Sequence, residues 1–222
     1  MFKIAYGAGH NSFTKNGIPG GESEWFLNDR IARYFAEETK KYPVELLRVD
    51  DALASVSLAK RCKAANDWGA DFFLSIHHNA GINGGSGGGL VAFSNPGSAK
   101  GAQYRDAIYD ACMASGGLKG DRWDGTLEHG YYVLKNTDMP AVLMEYGFMD
   151  STTDAPVIVT DEYARAMARA TMEGIAKVAG LTANKTIYRV QVGAFFDKEN
   201  ARALAQTFKD SGYDAFITEV TG

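Results

Sequence analysis

The chain has 222 residues, 45% of them hydrophobic and 23% charged, and carries a net charge of −4. That length suits one ordinary domain plus a small appendage, and the acidic balance argues against a protein built to bind nucleic acid. No apolar run is long enough for membrane insertion, and Cys62 and Cys112, each alone inside a helical pattern with no CxxC spacing, read as small buried hydrophobes.

In chain order, "FKIAY" (2–6) is an expected strand, entered directly from the N-terminus without a basic start and apolar core, so the sequence reads as made in the cytoplasm without a secretory signal. Leu27, Ile31, Tyr34 and Phe35 then recur at helical spacing. "VELLR" (44–48) reads as a strand, and Leu58, Cys62 and Ala65 mark a second helix. The strand "ADFFLSI" (70–76) runs into His77, His78 and Asn79. "NGGSGGGL" (83–90) lacks the strand-to-helix transition and lysine of a phosphate loop and reads as a mobile connection. A strand at "LVAF" (90–93), a helix through Tyr104, Ile108 and Cys112, and strands at "YYVL" (131–134) and "AVLM" (141–144) follow. A last long helix carries Ala164, Met167, Ala168, Thr171, Ile175 and Val178 and stops at Gly180. Strands alternating with helices imply an α/β fold: a twisted, mostly parallel sheet flanked by helices.

Ligands of such sheets gather at the carboxyl ends of the strands. His10 follows "FKIAY", His77 closes "ADFFLSI", Glu145 closes "AVLM", and Glu24 lies in the first turn of the first helix. Side chains alternate along a strand, so His77 and His78 point to opposite faces, and His77, in the polar row with Ser75 and Asn79, is the functional candidate. Two histidines and a carboxylate on separate elements suffice for a catalytic zinc with one position left for water. A histidine at a strand end serves equally well as a hydrogen-bonded structural residue.

"GAGHNS", "GGESEWFLND", "SIHHNA" and "MPAVLMEYGFMDS" resemble, in order, the four signatures of the zinc-dependent N-acetylmuramoyl-L-alanine amidases of the amidase-3 group, a likeness covering about residues 1–180. It implies that His10, Glu24 and His77 bind Zn2+ and that Glu145 is catalytic, with Glu22 as the competing third ligand. It also implies that the substrate is peptidoglycan, cut at the amide between the lactyl group of N-acetylmuramic acid and L-alanine of the stem peptide. His78 and Asn79 are candidates to orient the ligands, His129 to reach the cleft or lie in an exposed loop, and Trp25 and Trp123 to stack on substrate or, for Trp25, to sit in the core. Self-inhibited members carry a helical insert over the cleft; none is evident between His77 and Glu145, so an enzyme active without an activator is expected.

After a linker at 181–186, "IYRVQVGAFFDKENARALAQTFKDSGYDAFI" resembles half of the sporulation-related repeat (SPOR) domain, a glycan-binding module. It reads as a strand, a helix burying Ala201, Leu204, Ala205 and Phe208, and a second strand at "AFITEV", a small β-α-β half-module over 187–222. In the whole module a strand of the other half lies between these two, so a homodimer through 187–222, with Val190 and Phe208 in a shared core, is expected. The function implied is that of a wall-degrading amidase, a phage or prophage endolysin. The alternatives are another zinc peptidase or amidohydrolase acting on wall peptides, and a wall-binding module with a vestigial site.

Overall fold

The structure, a computed structural model, describes residues 1–120, 125–184 and 191–219. It divides into two compact units, Met1–Asn184 and Lys185–Gly222. In the first, β1 (Phe2–Ala8), α1 (Glu24–Thr39), β2 (Val44–Arg48), α2 (Leu58–Trp68), β3 (Phe72–Asn79), β4 (Val91–Ser94), α3 (Ala99–Ala114), β5 (Thr126–Glu128), α4 (Tyr132–Lys135), β6 (Ala141–Phe148), α5 (Ala155–Ile158) and α6 (Asp161–Ala179) follow one another. The strands form one six-stranded sheet in the order β2-β1-β3-β6-β4-β5. β1, β2, β3 and β6 are parallel, and β4 runs antiparallel to β6.

The sheet is covered on both sides, which explains why its central strands are apolar almost throughout. All eight residues of β6 are buried. Ile4, Phe72, Leu74, Ile76, Val142 and Met144 face one core with Ile31 and Phe35 of α1, Ile108 of α3 and Met167 of α6. Ala5, Phe73, Val91 and Leu143 face the other, with Cys62 and Ala65 of α2 and Val133 of α4. Each large apolar side chain withdrawn in this way contributes roughly 1.5–3 kcal/mol. Both cysteines are free and buried, as expected. Gly180 adopts φ 67° and ends α6, where glycine avoids the steric cost of the left-handed conformation.

Two local expectations are corrected. "YYVL" is not a strand: Tyr132–Lys135 form the short helix α4. A four-residue apolar run has no periodicity to separate helix from strand, and the place beside β4 is taken by β5, three residues of weak pattern that the sequence reading passed over. The glycine-rich stretch is not a loose connection either. Asp150 Oδ2 accepts from Gly81 N and Asn83 N, Thr153 Oγ1 from Gly87 N, and Asp154 Oδ2 from Gly89 N, so residues 150–154 strap it down.

Four of the six residues of the expected linker, 181–184, belong to the first unit. Leu181 packs against its core, and Asn184 N donates to Lys41 O at 2.5 Å. In the second unit the expected helix forms as α7 (Lys198–Asp210), its start capped by Asp197. Of the expected flanking strands, residues 188–190 and 220 lie outside the described residues, and the described stretches 191–197 and 213–219 carry no strand pairing. A strand needs a neighbour for its main-chain donors and acceptors. Val190 and Trp123 lie outside the described residues.

Candidate active site

His10, Glu24 and His77 converge, each offering one donor atom within 4.8 Å of the others. Glu24 is the first residue of α1 and sits between the imidazoles: its Oε2 lies 2.9 Å from His10 Nε2, and its Oε1 lies 3.0 Å from His77 Nδ1. The position suits a carboxylate, since unpaired N–H groups at a helix start favour negative charge. Burial works to raise the Glu24 pKa, but the hydrogen bonds from His10 and His77 outweigh it and hold the carboxyl well below its usual range. The hydrogen bond to Glu24 raises that of His10. Glu22, the competing acid, turns away to a bidentate pair with Arg30 at 2.7 and 2.9 Å.

His77 and Glu145 are register partners on neighbouring parallel strands, which brings both side chains to the same face. Beyond them the register slips, with Asn79 opposite Phe148, so that β6 carries one extra residue at Tyr146–Gly147. Gly147 has φ 141°, open to glycine, and a Cβ there would come within 2.8 Å of Ile158. Glu145 is 9% exposed, and among the described residues its Oε2 has no hydrogen-bond partner. Burial, and then the charge of Glu24, push its pKa well above the usual carboxylate value. The metal-ligand candidates and Glu145 line a cleft of about 390 Å³ with Asn16, Asn79 and Met149.

His78 takes the opposite face, as alternation requires. It is buried, and its Nδ1 lies 2.8 Å from Asn28 Oδ1, while Asn28 Nδ2 donates to Glu24 Oε1 at 3.3 Å. Burial drives the His78 pKa down to about 3, so the ring stays neutral at physiological pH. His78 thus orients Asn28, and Asn28 the carboxylate, a supporting layer of the kind that tunes metal ligands. Asn79 instead accepts from Ala80 N and closes its own loop. Trp25 is in the core, and His129 is an exposed loop residue whose ring lies tilted against Tyr131, centroids 4.1 Å apart. Sequence reasoning assigned no role to Asn28. It missed Arg61, whose sole signal was a cation beside the apolar stripe of α2.

The N-acetylmuramoyl-L-alanine amidase (Amidase_3) family matches residues 4–177, and the SPOR domain family matches 161–219. The chain is 34% identical over 223 residues to the N-acetylmuramoyl-L-alanine amidase CwlM of Bacillus licheniformis, covering 98% of this chain and 85% of that protein. It is 33% identical over 224 residues to the sporulation-specific N-acetylmuramoyl-L-alanine amidase of Bacillus subtilis (strain 168), covering 98% and 84%. Among solved structures, the N-acetylmuramoyl-L-alanine amidase AmiC2 of Nostoc punctiforme superposes with a TM-score of 0.73 at 25% identity, covering 81% of this chain and 97% of that one. With its strand-end histidines and carboxylates gathered at one cleft, the chain belongs to the N-acetylmuramoyl-L-alanine amidase family.

Proposed function

We propose that the chain hydrolyses the amide joining the lactyl group of N-acetylmuramic acid to L-alanine in peptidoglycan, with zinc held by His10, Glu24 and His77 and with Glu145 as proton carrier. The observation that carries this reading is the convergence of three donors beside a buried, unpartnered carboxyl. Two imidazoles and a carboxylate are the nitrogen and oxygen donors of a catalytic zinc site, and the unmatched Glu145 Oε2 leaves a place for a reacting group. When bound, the ion supplies Lewis acidity toward a water and the scissile carbonyl. Glu145 takes the proton of the attacking water and passes it to the departing alanine nitrogen, a transfer that its raised pKa favours. His78 and Asn28 keep Glu24 aimed at the cleft.

Digestion of purified wall by the intact protein, with no added activator, should expose new N-terminal alanine and free muramoyl lactyl groups. New reducing sugar ends, or N-termini within the stem peptide, would refute the bond assignment. Glu24→Ala should abolish stoichiometric zinc, whereas Glu22→Ala, which loses only its pair with Arg30, should retain it. Equal loss from both variants would remove Glu24 as the ligand.

The relatives matched along nearly the whole chain are bacterial amidases, which favours remodelling of a bacterial wall over phage release. Residues 185–222 are too few to bury a self-sufficient core. No residue of α7 is fully buried, and Phe195, Phe196, Tyr213 and Phe216 are exposed. Pairing with a second copy would cover such a surface. Phe208, half-buried against Tyr213 with ring centroids 6.3 Å apart, would lie in the shared core. Light scattering should give a dimer for the intact protein and a monomer for Phe208→Asp. A wild-type monomer at micromolar concentration contradicts the dimer.

A further inference from the structure

Arg61 of α2 is 6% exposed, yet it forms no ion pair among the described residues. Among the described residues its hydrogen bonds go to main-chain carbonyls. Nη1 donates to Ala8 O and Nη2 to His10 O, both at 2.6 Å, and Nε donates to Val56 O at 3.1 Å. Burial depresses the pKa of this guanidinium, the signature of a cation withdrawn from water, and withdrawing a charge is costly unless its hydrogen bonds are needed. The Asp50 carboxylate, the opposing charge that acts on it, is occupied by Arg48 and by Ala8 N.

His10 lies at the other end of these bonds and has φ 65°. Non-glycine residues rarely adopt that left-handed conformation, and where they do the surroundings must over-determine it. Here they do. Ala8 N is held by Asp50 Oδ1 at 3.0 Å, Gly9 N by Ile76 O at 2.8 Å, and Gly9 O by Asn28 Nδ2 at 3.3 Å, while Arg61 holds the carbonyls of Ala8 and His10 together. A planar fork fits two carbonyls two residues apart; a lysine ammonium is a point donor and does not bridge them in the same way.

We propose that Arg61 is a positioning residue that clamps Ala8 and His10 and so presents the His10 imidazole to Glu24 and His77. The assignment rests on reading His10, Glu24 and His77 as metal ligands. Without the clamp, His10 relaxes from its left-handed conformation, its ring leaves the cluster, and the metal site is left with two donors.

The test is zinc affinity of the intact protein, measured by competition with a chromophoric chelator well below the unfolding temperature of every variant. Arg61→Met should bind zinc about 10–100-fold more weakly, the usual cost of losing a group that orients a ligand. Arg61→Lys should recover part of the loss. Ile108→Ala, in the core on the opposite side of the sheet, is a destabilised control and should keep wild-type affinity. If Arg61→Met does not fold, Arg61→Lys decides alone: wild-type affinity in that variant overturns the clamp. Wild-type affinity in Arg61→Met overturns it too, as does an equal loss in Ile108→Ala. A wild-type protein that binds no zinc overturns the metal reading and the clamp with it, a result distinct from the others.

Discussion

Glu145→Gln should keep its zinc and lose turnover on wall by about 10²–10⁴-fold, the range that a positioned acid–base group contributes. The amide has nearly the shape of the carboxyl, so it fits the buried site without moving His77, its register partner on β3. It cannot take a proton from water or return one to an amine. Burial sets the Glu145 pKa above the ordinary carboxylate range, so the group holds a proton more readily than an exposed carboxyl. The same shift makes a second prediction for the metal-free protein. A carboxyl whose folded pKa is raised adds stability that is fully present below its unfolded value and is lost as pH rises through the folded one. Metal-free wild type should therefore lose stability as pH climbs above the normal carboxylate range, and Glu145→Gln should lose less. Metal analysis, turnover and denaturant titration across pH measure all three quantities. Full activity in the variant would end the assignment of Glu145 as proton carrier.

Gly9→Ala should remove the metal while leaving the fold nearly intact. A Cβ built on Gly9 falls 2.0 Å from His77 Cε1 and 2.3 Å from its Nδ1, far inside contact distance. The obstacle is a side-chain ring, partly exposed, rather than backbone, so the imidazole swings aside and surrenders its place beside Glu24. Gly9, unlike many glycines of this chain, does not occupy the left-handed region, so alanine adopts its backbone conformation without strain. Losing a ligand should weaken zinc binding by more than the ~10–100-fold of losing an outer partner. The melting temperature of the metal-free protein should change little. Stoichiometric zinc in the purified variant would show that His77 is not held where Gly9 meets it.

Much of this was legible in the chain because it depends on local periodicity. Short apolar runs bounded by turn residues specified β1, β2, β3 and β6, helical spacing specified α1, α2, α3 and α6, and strand ends placed His10, His77 and Glu145 at one edge of a parallel sheet. The choice between His77 and His78 followed from alternation alone, and the register of β3 with β6 puts His77 opposite Glu145. Where local pattern is too short, the reading was wrong: four apolar residues at 131–134 became α4, and three unremarkable ones at 126–128 became the edge strand. A strand exists only where a neighbour offers hydrogen bonds, and a sequence window does not contain the neighbour.

The site itself was decided between elements. The family likeness favoured Glu24 over Glu22 without saying where either side chain goes, and the structure sends Glu22 to Arg30 and Glu24, at the start of α1, to the histidines. Arg61 lies 51 residues from the carbonyl of His10, and His78 lies 50 from Asn28. No periodicity relates such positions, because side chains meet according to how helices cross the sheet. The sequence by itself determined which residue types reach the edge of the sheet; the tertiary structure decided which of them are held, by what, and in which conformation, since a polar group buried away from water must find its partner in space rather than along the chain.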